Sequence, residues 1–223
     1  MAVYAALQQK CCDCETPHAT KVLWRIVLER KLAVYFDYKS PYAYLAVRPA
    51  RGLAAEFGVA IDWRPYTLRI PEYLGSVDNR NDHQWRRVKY SYMDARRMAN
   101  ERGLITLGPQ KIFESETAHI GALFAQDQGV FDAYHDRVFE RFFRRALDIE
   151  DRAAIQSVLA EAGAPDAAAF ADFAMDEGKQ RYHHGLDEAE AMGVFGVPTF
   201  VVGGEIIWGG DRLDMVRRAM AAS

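Results

Sequence analysis

Apolar residues along this chain first cluster, then recur at helical spacing, then alternate. "LAVYFDY", Leu32 to Tyr38, is short, unbroken and rich in β-branched and aromatic residues, which predicts a buried strand of a parallel or mixed sheet. From Tyr42 to Phe57, the residues Tyr42, Leu45, Ala46, Pro49, Leu53 and Phe57 share one helical face, and Arg48, Arg51 and Glu56 fall elsewhere. Pro49 is expected to kink that helix and Gly58 to end it. "VAIDWRPY", Val59 to Tyr66, alternates, so a second strand follows at the distance of one parallel crossover.

Beyond "TLRIPEYLGS" the pattern is helical from about Asp82 to Ala191, with almost no strand signal. The first of these helices ends at Gly103, and its many arginines are interspersed with acidic residues, as on a solvated face. Ser115 or Thr117 is placed to cap the next helix, and Phe131, Tyr134, Val138, Phe142 and Phe143 form a core stripe on the one after. His183 and His184 are adjacent and point about 100° apart on a helix, which suits surface or pocket-rim positions better than a shared metal. A helix then stops at Gly193, "GVPTFVVGGEIIWGG" reads as two short strands around a Gly-Gly hairpin, and "DRLDMVRRAM" closes the chain as a helix.

Strand, helix, strand, helical insertion, helix, strand, strand, helix is the order of an α/β thioredoxin-like fold with a large all-helical insertion. Residues 31–68 and 185–223 form the thioredoxin-like domain in this reading, and 69–184 the insertion. Val197-Pro198, at the mouth of a strand, is expected to be cis, since X-Pro bonds alone tolerate that geometry at low cost.

At 223 residues, half of them apolar, the chain is long enough for a sizeable core and requires no second independent domain. Its net charge of -3 gives no general electrostatic reason to bind nucleic acid or an anionic membrane. No apolar run approaches the roughly 20 residues that span a bilayer, and "MAVYAALQQKCCDCE" lacks a charged segment ahead of its brief apolar stretch, so a cytoplasmic protein is expected. Cys11, Cys12 and Cys14 are the only cysteines, which excludes a framework of structural disulfides. With His18 as the only other nearby ligand type, the leader falls short of a zinc site. Residues 1–30 are expected to be a poorly ordered extension, and no metal is expected.

"YFDYKSPYAYLA" runs from the first strand into the first helix through Ser40-Pro41, a favoured N-cap followed by the residue that suits the first helical position. Taken with "GVFGVPTFVVGGEIIWGG" and "DRLDMV", this stretch resembles the 2-hydroxychromene-2-carboxylate isomerases and kappa-class glutathione transferases of the DsbA-like thioredoxin group, over residues 32 to about 220. DsbA-type oxidoreductases carry Cys-x-x-Cys at this turn, where the present chain has Ser40-Pro41-Tyr42-Ala43 and no sulfur for dithiol exchange. The resemblance implies that glutathione brings the sulfur and that Ser40 hydrogen-bonds its thiolate. A helix N-terminus favours a nearby anion, and each unit by which a thiol pKa falls is worth about 1.4 kcal/mol.

The same resemblance implies the remaining contacts. Val197, before Pro198, would offer its backbone to the cysteinyl part of glutathione as an added strand does. Gly210 and Asp211, at the start of the last helix, would take the γ-glutamyl end, although Asp211 also suits a simple helix cap. Pro41, Tyr42 and Tyr44 are expected to border a small aromatic substrate. The family's asparagine and basic residue after the second strand have only Asn79 and Arg80 as counterparts in "LRIPEYLGSVDNRNDHQW", which leaves the glycyl end unassigned. The implied activity is glutathione-dependent isomerisation of an unsaturated aromatic keto acid. A kappa-like transferase or peroxidase, and a noncatalytic DsbA-like binding protein, are the alternatives; a homodimer is compatible with each.

Overall fold

The computed structural model describes residues 32–223, so the expectations for the leader and its three cysteines lie outside the described residues. Four strands form one mixed sheet in the order β2-β1-β3-β4: β1 (Leu32–Phe36), β2 (Ile61–Pro65), β3 (Thr199–Val202) and β4 (Glu205–Trp208). β1 runs parallel to β2, with Leu32 opposite Ile61, and antiparallel to β3, with Leu32 opposite Val202. β3 and β4 form the expected hairpin, whose tip is made by Gly203 and Gly204 at φ 57° and 87°, a left-handed backbone that glycine adopts without strain.

The crossover from β1 to β2 is α1 (Pro41–Phe57). Ser40 caps its first turn, Gly58 ends it at φ 65°, and it continues unbroken through Pro49. The insertion follows as α2 (Ile70–Leu74), a 3-10 turn over Val77–Asn79, α3 (Asp82–Glu101), α4 (Glu116–Asp127), α5 (Phe131–Phe143), α6 (Arg152–Glu161) and α7 (Phe170–Phe173), with a second 3-10 turn before α7. Then come α8 (Glu177–Met192) and, after the hairpin, α9 (Leu213–Ala222). This is the thioredoxin-like fold with its helical insertion. The inner boundary expected at 184–185 falls within α8, a single continuous helix that packs on β2 as well as on α4.

α3 begins where Asn81 and Gln84 satisfy each other's backbone N–H groups in a reciprocal cap, both bonds at 2.9 Å. Among the described residues, no helix is long and apolar enough to cross a membrane.

Sheet and insertion share one core. Phe36, at the end of β1, meets His135 of α5 with ring centroids 4.5 Å apart, and touches His119 of α4 and Phe139 of α5 in the same cluster. The expected stripe holds: Tyr134, Val138, Phe142 and Phe143 are buried, with Phe131 half-buried beside Trp63. Packing of α4 on α5 and α6 depends on Gly121, where a Cβ would run into the Tyr134 hydroxyl and lie 2.8 Å from Ile155 Cγ2. That hydroxyl donates to the Ala118 carbonyl at 2.8 Å and has nowhere to retreat without leaving the bond.

Alanine in place of glycine inside a helix ordinarily stabilises by up to about 1 kcal/mol. Here overpacking outweighs it, and Gly121→Ala is expected to lose roughly 1–3 kcal/mol in urea or guanidinium unfolding.

Candidate functional site

The N-terminus of α1 is the centre of the site. Ser40 is extended, at φ -89° and ψ 113°, and its Oγ accepts from the Ala43 N–H at 3.2 Å. Among the described residues its hydroxyl hydrogen has no acceptor and the Tyr42 N–H has no hydrogen-bond partner. Ser40 and Pro41 are both buried, and the residues on either side of the pair open onto two different cavities.

Tyr42 borders the first cavity, a cleft of about 380 Å³. Its walls come from α1 (Leu45, Ala46), α3 (Asp94, Met98), the Val197-Pro198 turn and the loop from Trp208 to Arg212. The Val197-Pro198 peptide is cis. Pro198 receives the Gly209 N–H at 2.9 Å, which holds the two loops together, while the Val197 N–H and C=O take no part in the sheet. Val197 is itself buried and borders the cleft. At Gly210 a Cβ would sit 3.6 Å from Pro198 Cγ and 3.7 Å from Ala46 Cβ, ordinary contact distances that place this residue against both α1 and the Val197-Pro198 turn.

Tyr42 is fixed by α3: its hydroxyl lies 3.1 Å from Asp94 Oδ2 and 3.3 Å from the Ser91 carbonyl. Burial, reinforced by the Asp94 carboxylate, pushes the phenol up to about 12, so it stays protonated and donates.

The second cavity, about 230 Å³, opens on the other side at Lys39 and is enclosed by Ile70, Leu74 and Arg80, by Trp85, Val88 and Tyr92 of α3, and by residues 108–113. α3 is therefore the common wall of both.

Several expected positions differ from their structural placement. The last helix starts at Leu213 with Arg212 in the cap position, so Asp211 is not its cap; the Asp211 carboxylate is exposed and pairs with Arg212 at 3.3 Å. Tyr44 lies away from both cavities, its ring stacked on Phe139 and Phe143 at 5.3 Å each, because one residue step after Ala43 turns it towards α5. Asn79 is exposed, bonded to Ser76 Oγ at 3.1 Å, and borders neither cavity, whereas its neighbour Arg80 does. His183 and His184 are exposed on α8, as expected. Val197, Pro198 and Gly210 do come together with Tyr42 on the wall of the first cleft, whereas Ser40 is buried and borders neither cavity.

Beneath Ser40 lies a polar cluster that sequence reasoning missed. Asp37 is fully buried, and its carboxylate accepts from the Lys39 N–H at 3.1 Å, the Leu68 N–H at 2.8 Å and the Ser115 hydroxyl at 2.5 Å. Its own carbonyl receives the Ser40 N–H at 3.0 Å. Ser115 occupies the cap position of α4 yet caps nothing, since a bond to a buried carboxylate is stronger than one to a neutral N–H. His119 Nε2 stands 3.5 Å from the same carboxylate, and Nδ1 lies 3.0 Å from Thr67 Oγ1, which meets the Tyr182 hydroxyl at 2.6 Å. Burial lowers His119 to about 4, against the pull of Asp37 and with the help of Lys39. The ring is thus neutral near pH 7 and the Asp37 contact is no ion pair; among the described residues Nε2 has no hydrogen-bond partner. The signal for this cluster was a carboxylate inside the apolar run "LAVYFDY" and a histidine on the apolar face of "TAHIGALF".

Comparison with known proteins agrees with this architecture. The family model described as a DSBA-like thioredoxin domain matches residues 31–221. A 2-hydroxychromene-2-carboxylate isomerase from Pseudomonas putida is 29% identical over 188 residues, covering 83% of this chain and 92% of that protein. A solved 2-hydroxychromene-2-carboxylate isomerase superimposes with a TM-score of 0.71 at 28% identity, over 86% of this chain and 95% of the other. A probable DsbA oxidoreductase from Streptomyces coelicolor shares the fold, with a TM-score of 0.70 at 17% identity over 86% and 89%.

His119 also sets a pH dependence. Its folded pKa of about 4 is below the ordinary 6.5, so the folded chain binds fewer protons than the unfolded one between those values. Stability is therefore expected to fall as pH drops from 6.5 towards 4, by roughly 3 kcal/mol from this residue. His135, also buried and lowered, adds to the loss. Chemical denaturation at pH 7 and pH 4.5 is expected to show His119→Asn losing less on acidification than the parent.

Proposed function

This chain belongs to the DSBA-like thioredoxin-domain family, and we propose that within it the protein is a glutathione-dependent isomerase of the 2-hydroxychromene-2-carboxylate type, acting on an unsaturated aromatic keto acid. The observation that carries the reading is Ser40, an oxygen at the helix terminus where a dithiol oxidoreductase needs sulfur, with its hydroxyl hydrogen and the Tyr42 N–H uncommitted among the described residues. The isomerase names of the relatives at 28–29% identity support it.

The chain's own residues fit a γ-glutamyl tripeptide. Val197, on the cleft wall and outside the strand pairing, suits an extended peptide backbone, and an ammonium group suits the exposed Asp211 carboxylate. The chemistry supplied by bound glutathione is reversible addition of its thiolate to a carbon conjugated with the keto acid, which frees the former double bond to rotate before elimination.

Ser40 and the α1 terminus stabilise negative charge at the sulfur. A free thiol near pKa 8.5 is only a few per cent ionised at neutral pH, so a depression of one unit raises the reactive fraction nearly tenfold. Tyr42, kept protonated and anchored on α3, holds the first turn in register with the cleft. Asp37 holds the turn before it through the Ser40 and Lys39 N–H groups. The lack of any membrane-crossing helix among the described residues accords with action in the cytoplasm, where glutathione is kept reduced.

Ser40→Ala distinguishes the cap from the thiolate contact. Loss of the cap alone costs about 1 kcal/mol of stability. If Ser40 also holds the sulfur, the pKa of bound glutathione, followed by thiolate absorbance, is expected to rise by about one unit or more, and turnover to fall well beyond what stability explains. An alanine variant with unchanged bound-thiol pKa and turnover would overturn the assignment.

A further inference from the structure

α3 spans 20 residues, a length of about 30 Å, and its outer face carries a charge pattern that the net charge of -3 conceals. Arg86, Tyr90, Met93 and Arg97 recur at helical spacing along the centre of that face, with Lys89 and Arg96 on one flank and Arg87 on the other, and all seven are exposed. Among the described residues none of these five cations pairs with a carboxylate; Arg96 donates to the Thr106 carbonyl at 3.4 Å, and the others make no side-chain bond. Elsewhere surface arginines find acids, as Arg51 does with Asp132 and Asp136, Arg181 with Asp127 and Arg217 with Glu56.

The acidic residues of α3 leave this stripe uninterrupted. Asp82 and Glu101 stand at the two ends of the helix, and Asp94 is turned to the Tyr42 phenol of α1 at 3.1 Å. Charges that alternate in the sequence are thus segregated in space. Tyr90 and Met93 are 57% and 45% exposed in the middle of the cations, and Ile105 and Leu107 are exposed on either side of the Thr106 carbonyl that holds Arg96. Both cavities lie on other sides of the helix, at Asp94 and Met98 and at Trp85, Val88 and Tyr92, so the outer face has no part in either.

Cations alone would suit any polyanion. A tyrosine and a methionine in their midst gain little from a nucleic-acid backbone, but at a bilayer they enter the headgroup region while the long basic side chains reach the phosphates. The convex face of one helix also gives a folded acidic protein little to enclose. We propose that the outer face of α3 docks on a bilayer surface containing anionic phospholipid, the helix lying in the interface plane with Tyr90 and Met93 inserted and Arg86, Arg87, Lys89, Arg96 and Arg97 against the headgroups. Association of this kind is peripheral and reversible, since each cation near such a surface contributes only about fivefold in partition and salt screens it. It depends on neither glutathione nor the isomerase reading.

Co-sedimentation of the full chain with vesicles of phosphatidylcholine containing about 30 mol % phosphatidylserine, against vesicles of phosphatidylcholine alone, tests it. At about 0.05 M salt, partition into the anionic vesicles is expected to be at least about tenfold the stronger, and to fall about tenfold or more at about 0.5 M. Arg86→Gln combined with Arg97→Gln is expected to lower it at least about tenfold, and Tyr90→Ser combined with Met93→Ser to lower it severalfold while keeping the salt dependence. All four side chains are exposed, so the fold is not at stake. Equal partition into neutral and anionic vesicles, indifference to either pair of substitutions, or release from the vesicles by duplex DNA at equal phosphate concentration would each overturn the proposal, the last by assigning the face to nucleic acid.

Discussion

A carboxylate taken out of water must be surrounded by donors, and at Asp37 those donors come from distant parts of the chain. Lys39 supplies its amide from the turn before α1, Leu68 from the segment after β2, and Ser115 its hydroxyl from the head of α4. One buried group thus ties the thioredoxin-like sheet to the helical insertion, directly beneath the turn that carries Ser40. Removing the charge would strand several buried donors at once, a far larger loss than that of a surface ion pair such as Arg181 with Asp127.

The same anchoring explains how two cavities meet at one helix end. Lys39 and Tyr42 face different spaces because α1 begins between them, and α3 runs past both, offering Trp85 and Tyr92 to one and Asp94 and Met98 to the other. The bond from the Tyr42 phenol to Asp94 joins that wall to the first turn. Both spaces therefore meet where a single helix crosses a single terminus.

Much of this was legible in the residues. Alternation in "VAIDWRPY", the Gly-Gly hairpin and the stops at Gly58 and Gly193 marked the elements, because period and backbone freedom are local properties. Ser40 as a cap, Val197-Pro198 at the cleft and the aromatic stripe of α5 were readable for the same reason. Asp37 and His119 were not, since their partners lie 31 and 78 residues away for Asp37 and 52 away for His119 with Thr67. Tyr44 and Asp211 were misplaced by one or two residues: a single step along α1 turns a side chain by about 100°, here towards α5, and the last helix begins two residues later than its aspartate.

Oxygen at position 40 has one more consequence. A helix terminus bearing two thiols has two oxidation levels, and something must return it to the working one after each event. The Ser40 terminus has a single level. Its own oxidation level does not drift with the reduction potential of its surroundings, and the turn itself holds no bond that a change of that potential could make or break.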